Sequence, residues 1–246
     1  EYADKHIFLD VWEVQTYLGH PHGREGQQSR WIKQSQLSDF AFPEADIPII
    51  KALSLPGELL ITPDLTESQQ DSFIDHLRHL LRRHPYPLVQ FRSHQLDDAL
   101  YADIAQQLKA ICDPYGAEII ISRPQLKSLK SSLFESFRRR HLNSGILQSL
   151  VENPFDDSIL LSASCHDRAE LNKAERLNCQ YALLSTIRQT LSHPGRKAKG
   201  WYRFNRLARQ ANLPVYALGG VARKDLCIAR YQGGIGVAGI SDFWTP

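Results

Sequence analysis

From residue 58 onward the chain alternates short apolar runs with longer amphipathic stretches. The runs at 58–62, 88–91, 117–122, 144–147, 159–164, 181–186, 215–218 and 236–240 read as strands, the one at 144–147 being the weakest. Helices are predicted over 66–84, 96–112, 167–178, 201–211 and 223–232. In the first of these, Phe73, Ile74, Leu77, Leu80 and Leu81 fall on one stripe. Asp167 and Glu170 make an Asp-x-x-Glu helix start. Strand alternating with helix predicts the α/β class, and this number of strands predicts a (β/α)8 barrel over 55–246.

The first 54 residues differ. Alternation over 6–14 predicts a strand, Trp31 and Ile32 a second short one, and 47–53 a helix that tolerates Pro48 in its first turn. This piece is too short to bury its own core, and Ser54-Leu55-Pro56-Gly57 reads as a linker. The expected division is therefore 1–54, the end of another domain, and 55–246, the barrel.

Two late stretches carry glycines at strand ends. Pro214-Val215-Tyr216-Ala217-Leu218-Gly219-Gly220 is followed, after one helical stretch, by Gly234-Ile235-Gly236-Val237-Ala238-Gly239-Ile240-Ser241. The final two strands of such a barrel commonly end in a phosphate cup. Glycine amides allow that close approach; the alternative is that Gly219 and Gly220 merely shape a tight strand-to-helix turn.

A net charge of +2 creates no global field toward nucleic acid, and no apolar run is long enough to span a membrane. Cys112, Cys165, Cys179 and Cys227 are scattered without C-x-x-C spacing, which favours a reducing cytoplasm. The absence of methionine suggests that Glu1 is not the first residue of the gene product and that the chain is a C-terminal fragment. Arg138, Arg139 and Arg140, within 131–141, predict a solvated helix face in preference to an anion or partner patch.

Barrel active sites sit at the C-terminal strand ends. Those ends offer Gln90 and Arg92, then Ser122 and Arg123, then Ser164, Cys165 and His166, and in the sixth loop Thr190, Ser192 and His193. Hydroxyls, a guanidinium and glycine amides on one rim suit a phosphorylated ligand. His166 is either a proton-transfer group or a hydrogen-bonded rim histidine. Arg92 either meets a ligand or pairs with a rim carboxylate. Cys165 reads as packing.

The segments VQFR, SASCHDRAEL, TLSHPG, PVYALGG and GIGVAGIS resemble thiamine phosphate synthase and its relative, the thiazole tautomerase TenI. The resemblance implies binding of a thiazole phosphate and, in the synthase, of hydroxymethylpyrimidine diphosphate with Mg²⁺. It assigns Gln90 and Arg92 to the pyrimidine diphosphate and Thr190, Ser192 and the loop-6 position of His193 to the phosphates. Gly219, Gly220, Val237, Ile240 and Ser241 fall to the thiazole phosphate cup, and His166 to moving a proton on the thiazole ring. Several positions depart from the synthase pattern. His94 and His193 stand where it has lysines, and Ser122-Arg123 where it has Asn-Asp with a metal carboxylate, so that Arg123 would repel the ion. Its strand-4 His-Leu-Gly-Gln motif is read as reduced to Gly145-Ile146-Leu147-Gln148. These losses leave no metal expected with certainty in the barrel. They also leave open tautomerase, full synthase and a non-catalytic ligand-binding or structural module.

Residues 1–54 resemble the C-terminal third of MutT-type Nudix hydrolases, the 8-oxo-dGTP diphosphatases, through Trp12-Glu13-Val14, Gly23 to Gln27 with Trp31, and Phe42-Pro43 to Ala45. The resemblance implies Glu25 near a catalytic Mg²⁺, against a plain solvated turn charge, and Phe42 and Asp46 at the base of a nucleoside triphosphate. Asp46 stands where the pattern has a base-reading Asn. The Nudix box is absent from this sequence, so hydrolysis of oxidised nucleotides is expected only of a longer parent protein.

Overall fold

In a computed structural model, residues 11, 14, 16–190 and 198–245 are described. Eight parallel strands close into a barrel: β1 (Glu58–Ile61), β2 (Leu88–Arg92), β3 (Glu118–Ser122), β4 (Arg139–Leu142), β5 (Leu160–Cys165), β6 (Tyr181–Ser185), β7 (Val215–Leu218) and β8 (Gly236–Gly239). Closure comes from β1 pairing with β8, Glu58 opposite Val237 and Leu60 opposite Gly239. The helices are α1 (Ile47–Leu53) before the barrel, then α2 (Gln70–Arg83), α3 (Asp98–Cys112), α4 (Leu126–Leu129), α5 (Ser144–Ser149), α6 (Arg168–Arg176), α7 (Gly200–Ala208) and α8 (Leu226–Tyr231).

The period of two along each strand separates two cores. Leu59, Ile61, Leu88, Ile120, Tyr181, Leu183, Tyr216 and Ala238 fill the barrel interior. Leu60, Val89, Phe91, Ile119, Ile121, Leu161, Ala163, Ala182, Leu184 and Ala217 face the helices. The predicted α2 stripe is buried there in full. At the N-terminal end Tyr181 meets Tyr216 edge to face, and the Tyr216 hydroxyl donates to Pro56 O at 2.5 Å.

Strand 4 departs from expectation. Residues 144–147 are helical, in α5, because Asn143 caps them: its side chain accepts from Ile146 N at 2.9 Å. The strand lies earlier, in the arginine run, which is no solvated helix face. Arg139 points inward and makes two hydrogen bonds to Glu118, at 2.8 and 3.1 Å. Arg140 points outward, is buried, and donates to the carbonyls of Phe137 at 2.6 Å, Leu129 at 3.3 Å and Phe134. Burial pushes its pKa down to about 10.

Ahead of the barrel, α1 forms as expected, and Lys51 Nζ ties it to the barrel floor through Asn178 Oδ1 at 2.7 Å and Cys179 O at 3.2 Å. The expected strand at 6–14 lies largely outside the described residues. Trp31 and Ile32 are not in a strand; Trp31 is exposed and stacks on Tyr17 at 5.4 Å. With no neighbouring strand among the described residues, their backbone has no ladder to join.

Candidate active site at the barrel mouth

β5 ends at Cys165, and His166 follows at the mouth. Asp167 then caps α6 by accepting from Glu170 N at 3.0 Å. The Glu170 side chain is buried and turns back to His166, with Oε2 2.9 Å from Nδ1 and 2.5 Å from the backbone N–H. Its Oε1 accepts from Gln148 Nε2 at 2.7 Å and from the Ser144 hydroxyl, both on α5. Burial alone would raise this carboxyl, but the hydrogen bonds from Ser144, His166 and Gln148 hold its pKa below the ordinary value. In the sequence Glu170 reads only as part of a helix cap, which concealed its contact with His166.

Beside this pair runs a polar seam inside the barrel. His141 of β4 places Nε2 2.8 Å from Ser164 Oγ and Nδ1 2.9 Å from Ser162 Oγ. Burial pushes the imidazole pKa down to about 3, so His141 is neutral. Ser164 is thus at the expected strand end but already bonded to a histidine that sequence reasoning did not single out. Cys165 faces the helices, where burial raises its thiol pKa, in keeping with packing.

Across the mouth, Gln90 is buried, and its Oε1 has no hydrogen-bond partner among the described residues. Arg92 donates to Asp64 Oδ2 at 3.2 Å, while Asp64 Oδ1 accepts from His94 N at 3.1 Å and lies 2.9 Å from its Nδ1. Asp64 is thus a rim carboxylate within reach of Arg92. Arg123 does not face the mouth as a charge that would repel a metal. It is buried, lies over the Tyr101 ring, and donates to Asp98 at 3.0 Å and to the carbonyls of Ser93 at 2.9 Å and Leu96 at 2.8 Å.

Gly219 and Gly220 follow β7 with φ of 95° and 68°. Their lack of a side chain makes room for the loop after β6: a Cβ on Gly219 would lie 2.8 Å from Thr186 Cγ2, and one on Gly220 2.7 Å from Arg188 Cβ. Arg188 N donates to Gly219 O at 2.9 Å, and its guanidinium reaches Gly220 O at 3.1 Å and Asp225 at 2.7 and 2.9 Å. The Arg188 hydrogen bonds are the chief cause holding the Asp225 carboxyl below its usual pKa. The missing side chains thus let this turn pack against the β6 loop, which Arg188 braces. Thr190, on that loop, has a buried Oγ1 with no partner among the described residues. Ser192 and His193 lie outside the described residues.

After β8, Ile240 and Ser241 stand at the mouth as expected. Val237 does not. It is the second residue of β8, its side chain is buried in the sheet–helix core and its N–H donates to Gly57 O at 2.9 Å, because the strand period turns it outward.

In the front piece, Glu25 sits on an exposed turn and its Oε2 accepts from Gln27 Nε2 at 3.0 Å. Asp46 precedes α1 without capping it, and Phe42 is half-buried nearby in sequence. Among the described residues no three His, Cys, Asp or Glu side chains converge as a metal site. Glu25 supplies a single, already engaged carboxylate, so these residues do not form a magnesium site without further oxygen donors. At the barrel mouth Asp64, Glu170 and Asp225 are committed to Arg92 and His94, His166, and Arg188 respectively. No helix among the described residues is long and apolar enough to cross a membrane.

The family described as thiamine monophosphate synthase matches residues 59–243, the whole barrel. The chain belongs to this family. Among its relatives is "Putative thiamine-phosphate synthase 2" of Aquifex aeolicus, 25% identical over 173 residues that cover 70% of this chain and 90% of that one. "Thiamine-phosphate synthase" of Thermosynechococcus vestitus is 27% identical over 136 residues, 55% of this chain and 38% of that protein. A separate similarity, 40% identical over 53 residues, is to "8-oxo-dGTP diphosphatase" of Escherichia coli; it covers 22% of this chain and 41% of that protein. The fold is shared with a solved thiamine phosphate pyrophosphorylase from Pyrococcus furiosus, with a TM-score of 0.60 at 16% identity over 75% of this chain and 85% of that one.

The barrel of this thiamine-synthase-family protein also relocates one motif. Strand 4 ends in His141-Leu142, so a His-Leu pair is present there, and Gly145 to Gln148 belong to α5, which begins at Ser144. The apolar Ile146 and Leu147 drew the strand assignment forward because β4 has polar side chains on both faces.

Proposed function

We propose that the barrel binds a thiazole phosphate and that His166 moves a proton on its ring. The phosphoryl group would lie against the backbone at 219–220 and 240–241, with Thr190 Oγ1 a further donor. One observation carries this reading: an imidazole with a buried carboxylate on one nitrogen, at the end of β5 and two strands from the glycine turn. The free nitrogen takes a proton from one ring position and the imidazolium returns it at another, so substrate and product are isomers and no co-reactant is consumed. The pairing of Arg92 and His94 with Asp64, together with the absence of a carboxylate at 122–123, supports proton transfer over diphosphate displacement.

Calorimetry with thiazole carboxylate phosphate, followed by a proton-exchange assay on the ring, tests the reading. Binding in the wild type with exchange lost in His166→Asn is expected. Lack of binding, or exchange unaffected by the substitution, would sink it. Pyrophosphate release from hydroxymethylpyrimidine diphosphate, or rescue of a strain lacking thiamine phosphate synthase, would point to the full synthase. Binding with no exchange would leave a ligand-binding module.

The short similarity to 8-oxo-dGTP diphosphatase favours a second reading for residues 1–54. They would form the end of a Nudix domain in a longer protein that hydrolyses oxidised nucleoside triphosphates with Mg²⁺, Glu25 lying by the metal and Phe42 and Asp46 by the base. An assay of that longer protein with 8-oxo-dGTP, with and without Asp46→Asn, tests it; an inactive wild type would rule it out.

A further inference from the structure

We propose that Glu170 is a positioning residue that fixes His166 as the Nδ1–H tautomer, so that Nε2 is the proton-accepting atom at the mouth. The inference deepens the role proposed for His166, although its own test needs no ligand.

The donors around Glu170 are unambiguous. The His166 backbone N–H, 2.5 Å from Oε2, and the Nε2 of Gln148, 2.7 Å from Oε1, can only donate. The Ser144 hydroxyl approaches Oε1 as well. A carboxylate surrounded in this way is acceptor-only, so Nδ1, 2.9 Å from Oε2, must carry the hydrogen. Neutral imidazole has one N–H, which leaves the lone pair on Nε2. That nitrogen has no hydrogen-bond partner among the described residues.

A capping box does not account for the carboxylate, because Glu170 reaches past the N-cap residue Asp167 to the backbone N–H and ring of His166. Nor does apolar packing, which would favour an uncharged side chain at this buried position. Ser144 and Gln148, one turn apart on α5, hold Oε1, which leaves Oε2 aimed at the imidazole and its backbone. α5 thereby supports the site without touching a ligand.

The test is the ¹⁵N spectrum of the histidine rings in the ligand-free chain, with His166 assigned through His166→Asn. Above the imidazole titration, the wild type is expected to show a protonated Nδ1 and an unprotonated Nε2. In Glu170→Met, which keeps the length and removes the acceptor, the signals should shift toward the Nε2–H form that free imidazole prefers. A wild-type ring protonated on Nε2 overturns the proposal, as does an unchanged tautomer in a folded Glu170→Met. If that variant does not fold, the wild-type spectrum decides alone. Failure of thiazole phosphate to bind, with the tautomer as expected, would overturn the ligand reading and leave the role of Glu170 standing.

Discussion

The imidazole of His141 is held between Ser164 and Ser162, with Nε2 2.8 Å from one hydroxyl and Nδ1 2.9 Å from the other. Ser162 Oγ also approaches Arg140 O at 3.4 Å, a carbonyl that only accepts. Neutral imidazole donates through one nitrogen and accepts through the other, so one of these serines donates to the ring and the other accepts from it. The strand-5 hydroxyl is thus oriented from strand 4, behind the rim.

This buried neutral histidine has a consequence for pH. Its pKa falls from 6.5 to about 3 on folding. A depressed base is protonated more readily in the unfolded chain, so its stabilising effect is full above pH ~6.5 and is lost as pH falls from there toward about 3. The loss between pH ~6.5 and ~4.5 should be about 2–3 kcal/mol, at about 1.4 kcal/mol per unit. Urea denaturation across that window should show the slope in the wild type and a flatter profile in His141→Gln. Equal slopes would mean that the ring is not held neutral.

The glycine turn admits an internal control. Gly116→Ala forces a left-handed backbone at φ 66° with nothing within 4 Å of the new Cβ. It should cost about 1–2 kcal/mol. Gly219→Ala adds a clash with Thr186, side chain and Cα at 2.8 and 3.1 Å, and should cost about 2–5 kcal/mol. Chemical denaturation of the two variants checks the ranking; equal costs would show that the β6 loop yields freely.

Arg188 and Asp225 join the β6 loop to the turn before α8. The guanidinium is 46% exposed, so solvent screens the pair and a double-mutant cycle with Arg188→Met and Asp225→Asn should give a coupling of about 1 kcal/mol. Asp225 has a lowered folded pKa, so this stabilisation is present above the ordinary carboxylate value of 3.8 and is lost as pH falls through the folded one. A coupling that persists unchanged in strong acid would contradict the ionic origin.

Arg123 provides a test of its placement away from the mouth. Arg123→Asp, which places a carboxylate at the position where the synthase pattern has one, should fail to create magnesium-dependent activity. It should also cost about 3–5 kcal/mol, since the side chain holds two loop carbonyls and Asp98 inside the β2–α3 connection. Titration calorimetry with Mg²⁺ and a melting curve read the two effects.

Hydrophobic periodicity alone determined most of the barrel. Seven strands and the α2 stripe are legible because apolar residues recur at the periods of strand and helix, which local sterics enforce. The glycines after β7 and the terminus of β5 could likewise be located. Strand 4 could not, since Arg139 and His141 are satisfied by Glu118 and by two serines 21 to 23 residues away, and Arg140 by four backbone carbonyls. The outward turn of Val237 follows from a strand period whose phase is set by pairing with β1 and β7. Tertiary structure likewise decided the partners of the rim charges. Asp64 with Arg92, and Arg188 with Asp225, are joined across 28 and 37 residues, and Glu170 is turned from a helix start into the partner of His166. Spacing along one chain carries backbone periodicity, whereas pairing between polar groups depends on which loops the closed barrel brings to the same mouth.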